Sequence, residues 1–332
     1  MKAVVLVGGF GTRLRPLTLT RPKQMLPIVG RPMIEWVVGR LRPFGVDEVV
    51  LSLGYRPDAF LEAYPDRSIA GVTFRVAVEP EPMGTAGAVR FAAEATGLEE
   101  TFLVLNGDVL TDLDIAALLS MHVEREGEAT IALQRVDDPS RFGVVPTEPD
   151  GRVIAFVEKP APGTAPTDYI NAGTYVLEPS VIERIPGGRS VSIERETFPA
   201  LADAGLLYAL AADTYWLDTG TPAQFLEANL DLLTGRRPGA SDVVRGQVAA
   251  GAEVSNSMVG PGAKVESGAV VEDSVLFPGV VVERGARVSG SLLGEGVRVG
   301  EGAVVADLSV VGDGERIAPG STLSGVRQPD PG

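Results

Sequence analysis

Aliphatic residues recur through the last part of this sequence at intervals of five and six, and no other feature restricts the fold as tightly. Val248, Val254, Val259, Val265, Val271, Leu276, Val282, Val288, Leu293, Val299 and Val305 are separated by steps of six, five, six, six, five, six, six, five, six and six. Val311, Ile317 and Leu323 continue at six. Two sixes and a five make a 17-residue coil, and Ser257, Ser274 and Ser291 keep that spacing. A period of six implies three short faces per coil, with one aliphatic side chain directed inward from each. Glycine and small residues at the corners permit the tight turns. Such a coil buries its core only against its neighbours, so about four or five of them stack into a rod.

The preceding residues have a different rhythm. Lys2–Val7 reads as a short buried strand followed by a glycine loop. Pro32–Leu41 reads as a helix, Glu48–Leu53 and Phe74–Val78 as strands, and Thr85–Ala95 as a helix. Phe102–Leu105 is an apolar run ending in Asn106-Gly107-Asp108. Alternation of this kind predicts an α/β domain with a mostly parallel sheet covered on both faces. Ligands of such sheets bind at the carboxyl ends of the strands, where the glycine loop and Asp108 both fall. At 332 residues the chain exceeds what one core usually supports. The expected division is a domain over 1–235, a linker over 236–245 and the repeat over 246–327.

Composition narrows the chemistry. There is no cysteine and a single histidine, His122. Disulfides, thiolate nucleophiles and Cys- or His-rich metal sites are excluded. Carboxylates, hydroxyls, amides, Lys and Arg remain, a set that suits a hard cation such as Mg²⁺. His122 follows LLSM and precedes VERE, and reads as a helix-surface residue. The net charge of −15 argues against a nucleic-acid surface. No apolar run approaches a membrane span, and the N-terminal apolar stretch is too short for a secretory leader. The cytoplasm is the expected location.

Within this acidic chain one segment is basic. Arg13, Arg15, Arg21 and Lys23 fall inside LVGGFGTRLRPLTLTRPKQMLP, Leu6 to Pro27. Gly8, Gly9 and Gly11 let backbone N–H groups approach a ligand, and the cations concentrate positive charge as a triphosphate requires. The loop has neither P-loop nor Rossmann spacing. Taken alone, the glycines are equally compatible with an ordinary strand-to-helix turn.

Taken together, GGFGTRLRPLT and PKQMLP resemble the signature of sugar-1-phosphate nucleotidylyltransferases. The resemblance continues, in the family's order, through EPEPMGTAGAVR (Glu79–Arg90), FLVLNGDVL (Phe102–Leu110), RFGVV (Arg141–Val145), FVEKP (Phe156–Pro160), INAGTYVL (Ile170–Leu177), VSIERETFP (Val191–Pro199) and YWLDTGTP (Tyr215–Pro222). GTAG, VSIERE and the appended repeat look most like mannose-1-phosphate guanylyltransferases, while KQMLPIVGRPMI is also close to glucose-1-phosphate thymidylyltransferases. Phe10 departs from the polar or basic residue common at that place. The repeat resembles the left-handed parallel β-helix of hexapeptide-repeat proteins.

The resemblance implies that a sugar-phosphate oxygen attacks the α-phosphorus of a nucleoside triphosphate and that pyrophosphate leaves. Such a reaction needs charge neutralisation and in-line positioning rather than a nucleophilic side chain. By the same resemblance, Asp108 and Asp218 are expected to hold Mg²⁺. Arg13 and Lys23 are expected on the triphosphate, and Lys159 on the sugar phosphate. Nucleotide contacts are expected from Leu6, Gly8, Gly9, Gly11, Thr12, Glu79, Gly84, Thr85 and Asn106. Gly143, Glu158 and Asn171 are expected around the sugar. Arg15, Arg21 and Arg189 are second-tier phosphate candidates, read rather as structural or peripheral.

Guanine presents two donors on one edge, N1–H and its amino group, and a carboxylate accepts both. Glu79 or Glu81, with no Gln between Glu79 and Gly87, therefore favours GTP, with mannose 1-phosphate as the matching acceptor. The alternatives are a thymidylyltransferase using dTTP and glucose 1-phosphate, and a non-catalytic regulatory or scaffold subunit. Residues 246–327 contain no histidine, which argues against the acyltransfer associated with similar β-helices. Homo-oligomer assembly is the expected role of that domain.

Overall fold

The computed structural model describes residues 1–54, 56–238 and 246–330. They form two compact units, Met1–Gly9 with Ile34–Trp216, and Phe10–Met33 with Leu217–Gly332. Of the expected linker 236–245, residues 239–245 lie outside the described residues.

The first unit is built on a ten-stranded sheet. Its strands include β1 (Lys2–Leu6), β2 (Glu48–Leu53), β3 (Val72–Val78), β4 (Phe102–Asn106), β5 (Ala129–Arg135), β6 (Gly143–Val144), β7 (Val157–Glu158), β8 (Tyr169–Leu177) and β9 (Leu207–Ala212). The strands β4, β1, β2 and β3 lie side by side and run parallel. Ala3, Val4 and Val5 are fully buried, as expected for a continuous apolar strand covered on both faces. Beyond β4 the sheet turns antiparallel through β8, which also pairs with β5 and β6. Helix α1 (Gly84–Thr96) stops at Gly97, whose φ is 64°. Helix α2 (Ile115–Arg125) starts at Asp114, whose carboxylate accepts a hydrogen bond from the Ala117 N–H.

His122 on α2 corrects the surface reading of that residue. Its Nδ1 lies 2.9 Å from Thr130 Oγ1 and its Nε2 2.9 Å from Glu178 Oε1, with only 3% of the residue exposed. Thr101 Oγ1 donates to the same Glu178 oxygen. The neighbouring Val123 and Glu124 are exposed, so the helix turns His122 toward the sheet. The charged residues that follow it concealed this from the sequence.

In the second unit, short parallel strands stack into three sheets of five, one per face of a left-handed β-helix. The inward residues from Val259 to Ile317 are buried at every step of the repeat. Val248 is 40% exposed because its strand ends the stack and pairs only with the strand of Lys264–Val265. One corner is tied by serines. Ser274 N donates to Ser257 Oγ and Ser291 N to Ser274 Oγ. The next serine is Ser309 rather than residue 308; one extra residue is absorbed where Asp307 and Leu308 both take positive φ, 58° and 59°. The same unit contains residues 10–33 and helix α3 (Pro222–Leu233), which Thr221 caps by accepting from the Gln224 N–H. Phe225 on α3 packs edge-on against Phe277 of the coils, with ring centroids 6.3 Å apart.

Candidate active site

Strand register aligns the carboxyl ends of four strands in the first unit. Leu6 is level with Ser52 and Asn106, and Leu53 with Val78. The chain therefore leaves β1, β2, β3 and β4 along one edge, at Gly8, Gly54, Glu79 and Gly107-Asp108. A Cβ on Gly8 would stand 3.3 Å from Glu79 Oε1, and one on Gly107 would stand 2.8 Å from the Leu6 carbonyl. Gly107 lets backbone approach backbone, and Gly8 leaves room for the Glu79 carboxylate.

Glu79 is buried and Glu81 exposed. Glu79 Oε1 accepts from Ser52 Oγ at 3.3 Å, and Oε2 accepts from the Met83 N–H at 3.1 Å. The carboxylate thus ties the strap after β3 to the start of α1. Gly84 and Thr85 open that helix. Thr85 Oγ1 donates to Glu194 Oε2 at 2.7 Å and accepts from the Ile193 N–H at 2.8 Å. Sequence reading did not single out Glu194; its place in VSIERE was the only signal.

The sugar-side candidates gather on β6, β7 and β8. Gly143 is paired with Glu158, and a Cβ on Gly143 would meet the Phe156 ring at 2.5 Å and Glu158 Oε2 at 3.0 Å. Lys159 adopts φ 49°, and its Nζ lies 3.4 Å from Glu158 Oε1. A lysine in this left-handed region is uncommon, and such strain concentrates at ligand sites. Asn171 Oδ1 accepts from the Gly173 N–H and its Nδ2 donates to Tyr175 Oη at 2.9 Å. The register slip between Asn171 and Tyr175 is what brings these two side chains together. Burial, with the nearby Glu194 and Glu158 carboxylates, pushes the Tyr175 phenol above its ordinary value despite the Asn171 hydrogen bond. Tyr175 therefore stays a neutral hydroxyl, and it too was missed, since in sequence it reads as plain strand core.

The cationic loop belongs to the second unit. Gly11 has φ 61°, and its carbonyl accepts from the Leu14 N–H and from Thr18 Oγ1 at 2.8 Å. Thr12 and Arg13 open a short 3-10 turn and are exposed, while Lys23 is 8% exposed. Asp218 Oδ1 accepts from the Gly220 N–H at 2.9 Å. A Cβ on Gly220 would lie 2.5 Å from Arg13 Nη2 and 2.9 Å from Asp218 Oδ1. A guanidinium and a carboxylate, remote in sequence, thus converge on a point left open by a glycine. Arg189, by contrast, is held by Glu196 and Arg21 by Glu295 and Asp313.

The donors present are oxygen donors. Among the described residues no three Asp, Glu, His or Cys side chains converge as a metal cage. Oxygen donors are the chemistry that suits Mg²⁺, which takes one or two carboxylates and draws its other ligands from phosphate and water. It does not fit a zinc site.

Residues 2–235 match the nucleotidyl transferase family model, and residues 221–320 match a GlmU-like C-terminal hexapeptide model. The chain is 43% identical to a mannose-1-phosphate guanylyltransferase of Mycobacterium tuberculosis, over 79% of this chain and 72% of that one. Among solved structures it is similar to HddC from Yersinia pseudotuberculosis complexed with GMP-PN, at 30% identity and a TM-score of 0.59, covering 69% of this chain and 97% of that one. It is also similar to a putative glucose-1-phosphate thymidylyltransferase from Bacillus anthracis, at 26% identity and a TM-score of 0.64, covering 73% of this chain and 98% of that one.

Proposed function

Because the chain belongs to the nucleotidyl transferase family, we propose that it transfers the guanylyl group of GTP to mannose 1-phosphate, releasing pyrophosphate and GDP-mannose. The observation that carries the chemistry is the convergence of Arg13 and Asp218 over the bare Cα of Gly220. A cation beside a carboxylate, at a point with no side chain, suits a metal-bound polyphosphate. The preference for guanine and mannose is supported by the 43% identical guanylyltransferase.

In this reading a phosphate oxygen of the sugar 1-phosphate forms a bond to the α-phosphorus of GTP. The bond between that phosphorus and the bridging oxygen to the β-phosphate breaks, and its electron pair leaves with pyrophosphate. Arg13 and Lys23 hold the β- and γ-phosphates and offset charge on the departing oxygen. Leu6, Gly8, Gly9, Gly11 and Thr12 contribute backbone contacts, and Gly84, Thr85 and Asn106 line the nucleoside side. Glu79 sets the strap that faces the base. Glu158, Asn171 and the Gly143 backbone bind sugar hydroxyls, and Lys159 orients the attacking phosphate. Asp108 and Asp218 are the proposed Mg²⁺ ligands, and the bound ion would supply further neutralisation of the phosphates.

Domain limits of 1–235 and 246–327, assembly into homo-oligomers through the β-helix, and a cytoplasmic location belong to the same proposal. No helix among the described residues is long and apolar enough to cross a membrane. The test is a matrix of GTP, dTTP, UTP and ATP against mannose and glucose 1-phosphates with Mg²⁺, reading released pyrophosphate. The highest kcat/KM for GTP with mannose 1-phosphate supports the proposal. Preference for dTTP with glucose 1-phosphate moves the chain to the thymidylyltransferases, and no release with any pair leaves a non-catalytic subunit.

A further inference from the structure

The basic loop of the second unit is fastened to the coils of the β-helix. Asp313 Oδ2 accepts from Thr20 Oγ1 at 2.6 Å and from Arg21 Nη2 at 2.8 Å. Its other oxygen, Oδ1, accepts from the Glu295 N–H at 2.8 Å, tying it to the coil before. The same Arg21 nitrogen reaches Glu295 Oε2 at 2.8 Å. A Cβ on Gly294 would stand 2.6 Å from Asp313 Oδ1 and 2.8 Å from the Asp313 N, and one on Gly312 would stand 3.1 Å from the side chains of Pro16 and Pro329. Asp313 is the more sheltered of the two carboxylates, with its side chain 17% exposed against 51% for Glu295.

Only Pro22 separates Arg21 from Lys23. Its ring fixes φ, and Lys23 then enters a 3-10 turn with its side chain buried. Downstream, the Val29 N–H donates to Asn229 Oδ1 on α3 at 2.8 Å. Residues 16–29 are thus held by the coils at one end and by α3 at the other, with Lys23 between the anchors.

We propose that Asp313, assisted by Glu295, is a positioning residue: it fixes Thr20 and Arg21 on the coil so that Lys23 is presented to the triphosphate. The β-helix is then part of the nucleotide-binding machinery as well as an assembly surface. This rests on the function proposed for Lys23. It places on the coils a residue that contacts neither substrate nor metal, and it gives Arg21 a role other than phosphate binding.

The test compares full-length wild type, Asp313→Ala, Arg21→Met and the double variant by two readouts. Hydrogen exchange without ligands reports the loop itself; faster exchange over residues 16–26 in Asp313→Ala, with the remaining coils unchanged, is expected. Steady-state kinetics should then show kcat/KM for GTP lower by about 10- to 100-fold, with KM for mannose 1-phosphate within about twofold. The double variant should lose less than the sum of the two single effects, because both remove the Arg21–Asp313 link. Unchanged exchange in the loop overturns the proposal. So does a fall in kcat at constant KM for GTP accompanied by a lowered Tm, which is the mark of general destabilisation. If wild type turns over no substrate pair, the function assigned to Lys23 fails, and the exchange data still decide whether Asp313 holds the loop.

Discussion

Asn106 and Gly173 meet where β4 and β8 run side by side: a Cβ on Gly173, whose φ is 75°, would stand 2.5 Å from Asn106 Nδ2. The end of β4 is thereby locked to the strand that carries Asn171. Gly173→Ala combines an unfavourable φ with a collision against Asn106. It should lower kcat/KM for both substrates together, by about 100-fold, as displacements near 1 Å in a positioned site do. Full activity with intact secondary structure by circular dichroism would count against that lock.

Gly220 offers a sharper case in the second unit. Alanine there would reach both the Arg13 guanidinium and the Asp218 carboxylate. Gly220→Ala should reduce kcat by about 100- to 1,000-fold, in the range seen when one preorganised transition-state donor is lost. Thermal melting should show the fold retained. A variant with unaltered kcat would dissociate that point from the chemistry.

The proposed sugar side has its own reporter. Gly143 carries no side chain, and a methyl group there would press on Phe156 and Glu158. Gly143→Ala should raise KM for the sugar 1-phosphate roughly tenfold or more, as lost pocket fit of one methyl does, and leave equilibrium binding of GTP unchanged. An equal loss for both substrates would place Gly143 elsewhere than at the sugar.

His122 stands apart from the proposed site. Its two ring nitrogens meet Thr130 and Glu178 inside the first unit. His122→Ala strands the buried Thr130 hydroxyl and should cost about 1–3 kcal/mol of stability, read as a lower urea midpoint. The kcat of the folded fraction should equal that of wild type. A lost kcat at unchanged stability would overturn this structural role.

A pH effect follows from the pair of Arg184 and Glu128. Both guanidinium contacts are 2.6 Å, and that hydrogen bonding holds the Glu128 carboxyl below its ordinary value of 4.5. A depressed folded-state pKa contributes stability above the ordinary value, and the contribution is lost as pH falls through the folded-state value. The pair lies at the surface, so its contribution is small. Glu128→Gln should therefore melt slightly earlier than wild type at neutral pH, with the gap closing in acid. A gap that persists undiminished in strong acid would contradict the ion-pair origin.

Much of this fold is legible in the amino-acid sequence. The coils were legible because each inward position repeats the same physical demand, an aliphatic side chain between two identical neighbours. Only the ends and the insertion at 307–308 broke the count, where one neighbour is absent or the chain has to absorb an extra residue. The parallel strands were legible from unbroken apolar runs such as Ala3–Leu6. His122 was misread because local charge outweighed its partners, Thr130 and Glu178, which only the sheet brings near. Tyr175 and Glu194 were invisible for the same reason, since their roles depend on a register slip and on a helix start. The anchoring of Arg21 by Asp313 joins residues almost the whole chain apart, and no local pattern announces it.

The most direct measurement follows the α-phosphorus of GTP by ³¹P NMR in a mixture of the chain, mannose 1-phosphate and Mg²⁺. The account predicts that its signal moves into a diphosphate bonded to mannose while one pyrophosphate appears per GDP-mannose formed, and that Asp108→Asn and Asp218→Asn each abolish both changes. Release of orthophosphate in place of pyrophosphate, or an unaltered GTP spectrum beside ready turnover of another triphosphate, would contradict it.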